Sequence, residues 1–341
     1  MTSRALVIGM VFLAGGMSGQ LPAADRVTIR PADSSGLVVL TGEIQDYNDE
    51  FLTLRAGSSP ATTYPSDSVA AVETFRPPAE LQGIEFYQQG HITEAITQFE
   101  TALKLEPRRW VQHELLAWLV RCHQRQGNLE AAATRFVEIV ADEPHTRHWN
   151  VAPLGWMPQT IPDRLQAAAR RWLAAEQEAV RLVGASIALS STATRLSGVA
   201  ELRKLSRGQD RYISSLAQSL QQGATLDSSV TTGEQMYQWR REIERIPESI
   251  RGGPWYAFGQ AHMHRSEPEE AAAAFLRVLL VHPGDEQLTA RAGVEAGLAL
   301  QRLNRKSEAD VAFQEVIERF AWTTSAQEAL RQLATPDGRR P

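Results

Sequence analysis

The chain has 341 residues, 43% hydrophobic and 22% charged, with 35 Lys and Arg against 40 Asp and Glu and a formal net charge of −5. This length suits two or three folded domains, and the composition excludes an intrinsically disordered or fibrous chain. A weakly acidic balance with no basic stripe excludes the electrostatic footprint of a nucleic-acid binder.

At the N-terminus Arg4 precedes an apolar or small run from Ala5 to Met17, followed by Ser18, Gly19 and the pair Ala23-Ala24. The run is shorter than the roughly 20 residues that span a bilayer, and it suits the core of a secretory signal peptide. The expectation is that residues 1–24 are removed and that the mature chain is exported, to the periplasm or beyond, with no integral membrane span. Cys122 is the sole cysteine. A lone thiol closes no internal disulfide, so stability must come from packing. Its setting among Leu115, Leu116, Trp118 and Leu119 predicts a buried, inert side chain.

Residues 25–75 alternate with a period of two. Val27-Thr28-Ile29, Leu37 to Leu40 and Val69 to Phe75 read as short strands. Ile44-Gln45 and Phe51 to Arg55 form a hairpin around Asn48-Asp49, and Pro60 to Ser68 reads as a loop. The segment GEIQDYNDEFLTL resembles the hairpin of SH3-like and Sm-like barrels. An Sm-like module would imply RNA binding, but eight acidic residues against Arg26, Arg30 and Arg55 in this segment argue against phosphate recognition. A docking module, or a cap for a helical stack, is the expectation.

Pro77-Pro78 marks the change from a period of two to one of about 3.6. From Leu81 to Pro107, small Gly83, Gly90, Ala95 and Ala102 alternate with bulky Phe86, Phe99 and Leu103 at helical spacing. This pattern predicts a helix hairpin. A second hairpin repeats its columns: Gly127 answers Gly90, Ala132 answers Ala95, Phe136 answers Phe99 and Pro144 answers Pro107. The two hairpins resemble tetratricopeptide repeats, in which small residues let paired helices approach and aromatics fill the gap. The same columns return in GGPWYAFGQAHMHRSEPEEAAAAFLRVLLVHP at Trp255, Phe258, Gly259, Ala271, Phe275, Leu279 and Pro283. They return again at Gly297, Leu300, Ala309, Phe313 and Ile317. Residues 76–146 and 252–323 are thus expected to hold two repeats each, closed by a capping helix over Ser325 to Leu333 and a tail to residue 341. The ending EVIERFAWTTSAQEALRQL is similar to the last repeats of periplasmic proteins that accompany envelope-assembly machines.

Between the pairs, a loop from His145 to Pro162 carries Trp149, Trp156 and three prolines, either as a binding lip or as packing over adjacent helix ends. One long helix is expected from an N-cap at Asp163 to about Leu189, then helices over Leu196 to Leu205, Tyr212 to Leu220 and Met236 to Ile246, with a loop from Gln221 to Gly233. These helices resemble HEAT-type repeats. The predicted fold is mainly α, a continuous right-handed helical-repeat solenoid preceded by a small β-barrel-like module.

No catalytic constellation is present in the sequence. His262 and His264 point about 200° apart on a helix and do not share a metal, and His145 and His148 lie in the loop without acidic or Cys partners at ligand spacing. There is no phosphate loop, His-Glu-x-x-His or Gly-x-Ser-x-Gly. Neither cofactor nor metal is expected. The repeat resemblance implies instead a concave groove lined by the first helix of each hairpin. Carried over, that face offers Glu80, Tyr87 and Gln88, then Arg121, Gln124 and Arg125, then Tyr256, Gln260, Met263 and His264, and finally Arg291, Gln301 and Arg302. Arg and Tyr anchor peptide interfaces well, although on the surface the arginines are also consistent with simple solvated charges. The Lys and Asn pattern of the chaperone-tail carboxylate clamp is absent. The functional expectation is a non-enzymatic exported scaffold that binds a segment of a cell-envelope protein. The alternatives are a self-associating structural component docking through the β module, and an enzyme built on the His145 to Pro162 loop.

Overall fold

The computed structural model describes residues 24–31, 36–157, 160–224, 232–282 and 284–334. The expected signal peptide, Pro283, most of the 221–233 loop and the C-terminal tail therefore lie outside the described residues.

Five antiparallel strands open the chain: β1 (Asp25–Ile29), β2 (Val38–Tyr47), β3 (Phe51–Arg55), β4 (Thr62–Pro65) and β5 (Val69–Glu73), in the order β4-β3-β2-β1-β5. Alternation buries Val27, Ile29, Ile44, Leu52 and Leu54 on one face. The two strands expected around Leu37 to Gln45 are one. A Cβ on Gly42 would stand 2.4 Å from the Arg55 carbonyl oxygen, so glycine lets β2 run unbroken against β3. β4 forms within the expected loop. The sheet ends at β4 and β5, which do not pair, so the small barrel expected is an open sheet. Asn48 makes the hairpin turn by accepting from the Glu50 and Phe51 amides at 2.9 and 3.0 Å.

Helices follow in antiparallel pairs: α1 (Pro78–Gln88) and α2 (Ile92–Leu105), then α3 (Arg109–Arg125) and α4 (Leu129–Asp142). The middle holds α5 (Asp163–Leu173), α6 (Glu178–Ala188), α7 (Arg195–Leu205), α8 (Arg211–Ala224) and α9 (Gly233–Arg245). The chain continues through α10 (Gly252–His264), α11 (Pro268–Val281), α12 (Glu286–Arg302), α13 (Lys306–Arg319) and α14 (Thr324–Ala334). One small-to-large device builds three of the hairpins. A Cβ on Gly83, Gly259 or Gly297 would lie 2.7, 2.6 or 2.3 Å from the ring of Phe99, Phe275 or Phe313, each of them fully buried. Every hairpin turn of the two repeat pairs also holds one residue in the left-handed region: Gly90 (φ 81°), Gly127 (φ 71°), Ser266 (φ 59°) and Asn304 (φ 57°).

The long helix expected from Asp163 to Leu189 is two. Gly184 packs so closely on α5 that a Cβ there would lie 2.8 Å from the Leu173 nitrogen, and this close approach is possible only if the chain folds back at residues 174–177. Successive helices pack without a break from α1 to α8, with α4 against α5 and α6; α8 then packs on α10, and α9 lies beside α8 and α10. The middle therefore does join the two repeat pairs, as expected.

The β module is tied to the first pair. The Arg108 guanidinium donates to both Glu106 carboxylate oxygens, to the Thr74 hydroxyl at 2.6 Å and to the Phe75 carbonyl at 2.9 Å. Glu80, expected on the groove face, is fully buried at this joint instead and pairs with Arg76, which also reaches Glu114 at 3.2 Å. Burial raises the Glu80 carboxyl above its ordinary range, against the pull of Arg76. The helical pattern could not show this, because Arg76 precedes α1 and belongs to no helix face.

Candidate functional site

On the second hairpin the candidate groove residues are engaged within the chain. Arg125 lies over the Tyr87 ring at 3.9 Å and donates to the Tyr87 carbonyl at 2.8 Å. Its remaining donors grip Glu286, at the start of α12, at 2.8 and 3.3 Å. The Trp322 ring lies 5.2 Å from the same guanidinium. Arg121 donates to the Gly284 carbonyl at 3.3 Å, and Gln287 donates to the Gln124 carbonyl at 3.4 Å. The first repeat pair is thus locked to the second across more than 150 residues of sequence, and Tyr87 is buried beneath the lock. Gln88 is exposed beside it. Cys122 is fully buried in the same helix, and burial pushes its thiol up to about 12, an inert side chain.

The loop between the repeat pairs forms the hub of this closure. Trp149 is buried, packs edge-on against Phe136 at 5.2 Å and donates to the Pro144 carbonyl at 2.9 Å. Trp156 packs against both hydrophobic cores, that of the β module, first repeats and middle helices and that of the C-terminal repeats. Its ring lies so close to α10 that a Cβ on Gly253 would come within 2.0 Å of it. Packing over helix ends therefore accounts for Trp149, whereas Trp156 and Met157 continue into a cavity wall. His145 stands 3.8 Å from Glu50 and 3.6 Å from Asp210, and neither it nor His148 reaches that cavity.

The cavity is a concave cleft of about 1110 Å³. Its walls are the C-terminal ends of α6 and α8, the outward faces of α10 and α12, helix α14 and the Trp156-Met157 segment. Of the candidate residues, Tyr256, Gln260, His264 and Arg291 line it. Helical spacing places Tyr256, Gln260 and His264 on one stripe of α10, and Gln287, Arg291 and Glu295 on the facing stripe of α12. Met263, Gln301 and Arg302 do not line it; Met263 packs against the C-terminal core, Gln301 is half-buried and Arg302 is exposed.

The polar groups of the cleft are pre-organised. Arg291 pairs with buried Glu295, and Gln260 donates to the Tyr256 hydroxyl at 3.2 Å. Burial, with Glu295 close by, pushes the Tyr256 phenol up to about 12, so it stays protonated and serves as a hydrogen-bonding group. Arg331 pairs with Glu328 at 2.6 Å on α14, the helix expected to be a solvated cap. Arg195, at the start of α7, is fixed by donating to the Leu189 and Ala224 carbonyls at 3.3 and 2.8 Å. Nothing in the sequence pointed to Arg195, Glu295, Glu328 or Arg331 here; the parts of this cavity it indicated were the four groove candidates on α10 and α12 and the loop tryptophan Trp156. The arrangement orients hydrogen bonds and charges along a trough, and among the described residues it contains no paired nucleophile and base. Among the described residues no group of three or more His, Cys, Asp and Glu is placed to hold a metal ion, and no helix is long and apolar enough to cross a membrane.

None of the curated proteins matches the chain. Several solved structures are similar to it, among them the two that follow. A thermophilic TPR protein of Thermus thermophilus shares 15% identity over 75% of this chain and 95% of its own, with a TM-score of 0.33. A tetratricopeptide repeat protein of Parabacteroides merdae shares 14% identity over 75% of this chain and 98% of its own, with a TM-score of 0.34. Residues 86–152, from the end of α1 through α4 into the following loop, match the model of the tetratricopeptide repeat.

Proposed function

We propose that this protein is a non-enzymatic scaffold that holds an extended segment of a protein partner in the cleft between α6, α8, α10, α12 and α14. The observation that carries the reading is the convergence of Tyr256, Gln260, His264 and Arg291 on one trough of about 1110 Å³. Its walls are pinned by Trp156 and by the Arg125–Glu286 lock. A rigid trough with pre-paired polar groups loses little entropy on binding, and tetratricopeptide repeats are interaction modules. The Ala5 to Met17 run supports an exported chain and therefore a cell-envelope partner.

The test is in-cell photocrosslinking of the full chain from position 324 in the cleft wall, beside the same chain with Gln260→Ala and His264→Ala. A partner captured by the first and lost from an equally folded second is the expected result. The same partner captured equally by both would refute the cleft reading.

Exposed Leu37, Val38, Val39 and Phe75 on the β module, 58%, 41%, 51% and 54% accessible, favour a second reading, self-association through that module. Concentration-dependent mass by light scattering is expected under it, and a strict monomer at high concentration removes it.

A further inference from the structure

The charges that line the cleft do not cancel. Arg195, Arg291 and Arg331 face Glu295 and Glu328. The two carboxylates are taken by Arg291 and Arg331. Arg195 has no carboxylate among the described residues; there its guanidinium is held by two backbone carbonyls, that of Leu189 just after α6 and that of Ala224 in α8. Those carbonyls supply partial charges, so among the described residues no full negative charge offsets Arg195 while its guanidinium is held in place at the cleft wall. Exposed His264 adds a ring that can donate a hydrogen bond on the opposite side. The molecule as a whole carries −5, so a cleft with more cations than anions runs against its average. Beside the charges lie Trp156, Met157, Leu220 and Ala257, an apolar floor.

We infer that the segment held in the cleft is an acidic peptide, with a carboxylate side chain on Arg195 and an apolar side chain on the Trp156-Met157 floor. The inference rests on the reading that the cleft receives a protein segment. Geometry favours a carboxylate because a pre-oriented guanidinium matches it with two parallel bonds. Length favours an extended chain, because polar groups line both walls on α10 and α12 rather than one end.

Selection from a displayed library of random 12-residue peptides tests this directly, using the full chain beside its Arg195→Glu and Arg195→Gln variants, with melting temperatures recorded for all three. Enrichment of Asp and Glu over Lys and Arg is expected with the unaltered chain, weakened by Arg195→Gln and abolished or inverted by Arg195→Glu. Synthetic peptides from the enriched pool should bind at least tenfold more weakly when their acidic residues become Gln or Asn, and more weakly again at 0.5 M salt. Enrichment of neutral or basic peptides, or an acidic preference that survives Arg195→Glu in a folded variant, overturns the inference while leaving a peptide-binding cleft. No enrichment at all overturns the peptide-binding reading itself. Should an anionic polysaccharide bind with the same Arg195 dependence while peptides do not, the partner is not a protein segment.

Discussion

The Arg125–Glu286 lock is the joint whose removal says most about the molecule. Both side chains are mostly shielded, at 16% and 22% accessibility, so the pair lies between an exposed ion pair, worth about 0–1 kcal/mol, and a fully buried one, whose rupture costs about 3–5 kcal/mol. Arg125→Ala also removes the bond to the Tyr87 carbonyl and the stack on its ring at 3.9 Å, together about 1–2 kcal/mol. The expected destabilisation is about 3 kcal/mol for Arg125→Ala and about 1–2 kcal/mol for Glu286→Gln, which keeps the shape of its side chain. Because both act on one contact, the double variant should fall short of their sum by about 1–2 kcal/mol. Urea unfolding of the four proteins measures this cycle, and small-angle scattering reports the second consequence, an expansion of the array as the repeat pairs part. Additivity within about 0.5 kcal/mol, with unchanged radius of gyration, would refute the closure argument.

Three further outcomes rest on particular residues. Ser266 holds the left-handed position that glycine fills in the first two hairpins, so Ser266→Gly should raise stability by about 1 kcal/mol, read as a higher urea midpoint at unchanged slope; a loss would show that its side chain is needed. Gly253→Ala drives a methyl into the Trp156 ring and should cost about 1–3 kcal/mol while disturbing the cleft floor; a crystal structure of the variant with Trp156 unmoved would contradict this. Burial lowers His123, His148 and His282 below their ordinary 6.5, so the folded chain binds fewer protons than the unfolded one below that pH. Their contribution to stability is full above about 6.5 and is lost as pH falls through that value toward the folded-state values. Asp285, pushed up to about 6 by desolvation, acts in the opposite sense, so the comparison is with His148→Gln. That variant should show a shallower loss between pH 7.5 and 5.5, by at most about 1.4 kcal/mol per pH unit, and an identical slope would count against a neutral, half-buried His148.

The helix hairpins were legible because their determinants are local. Gly83 and Phe99 meet across one turn, and the same pairing at Gly259–Phe275 and Gly297–Phe313 repeats as a column in the sequence. The cleft was half legible: Tyr256, Gln260, His264 and Arg291 follow from which face of α10 and α12 points away from its partner helix. Arg195 and Arg331 carry no such signal, since the middle helices and α14 follow no repeat column that would place them.

The sequence by itself determined the repeating unit, the sites of its turns and the burial of Cys122, all properties of residues within one or two turns of each other. Only the tertiary structure decided that Arg121 and Arg125 close the array rather than face a free groove, and that residues 163–189 fold back at a close helix approach. It likewise decided that one loop tryptophan joins two cores. These depend on residues as far apart as Arg125 and Glu286. Many partners for a charged side chain satisfy local chemistry equally well, and the path of the intervening helices selects one.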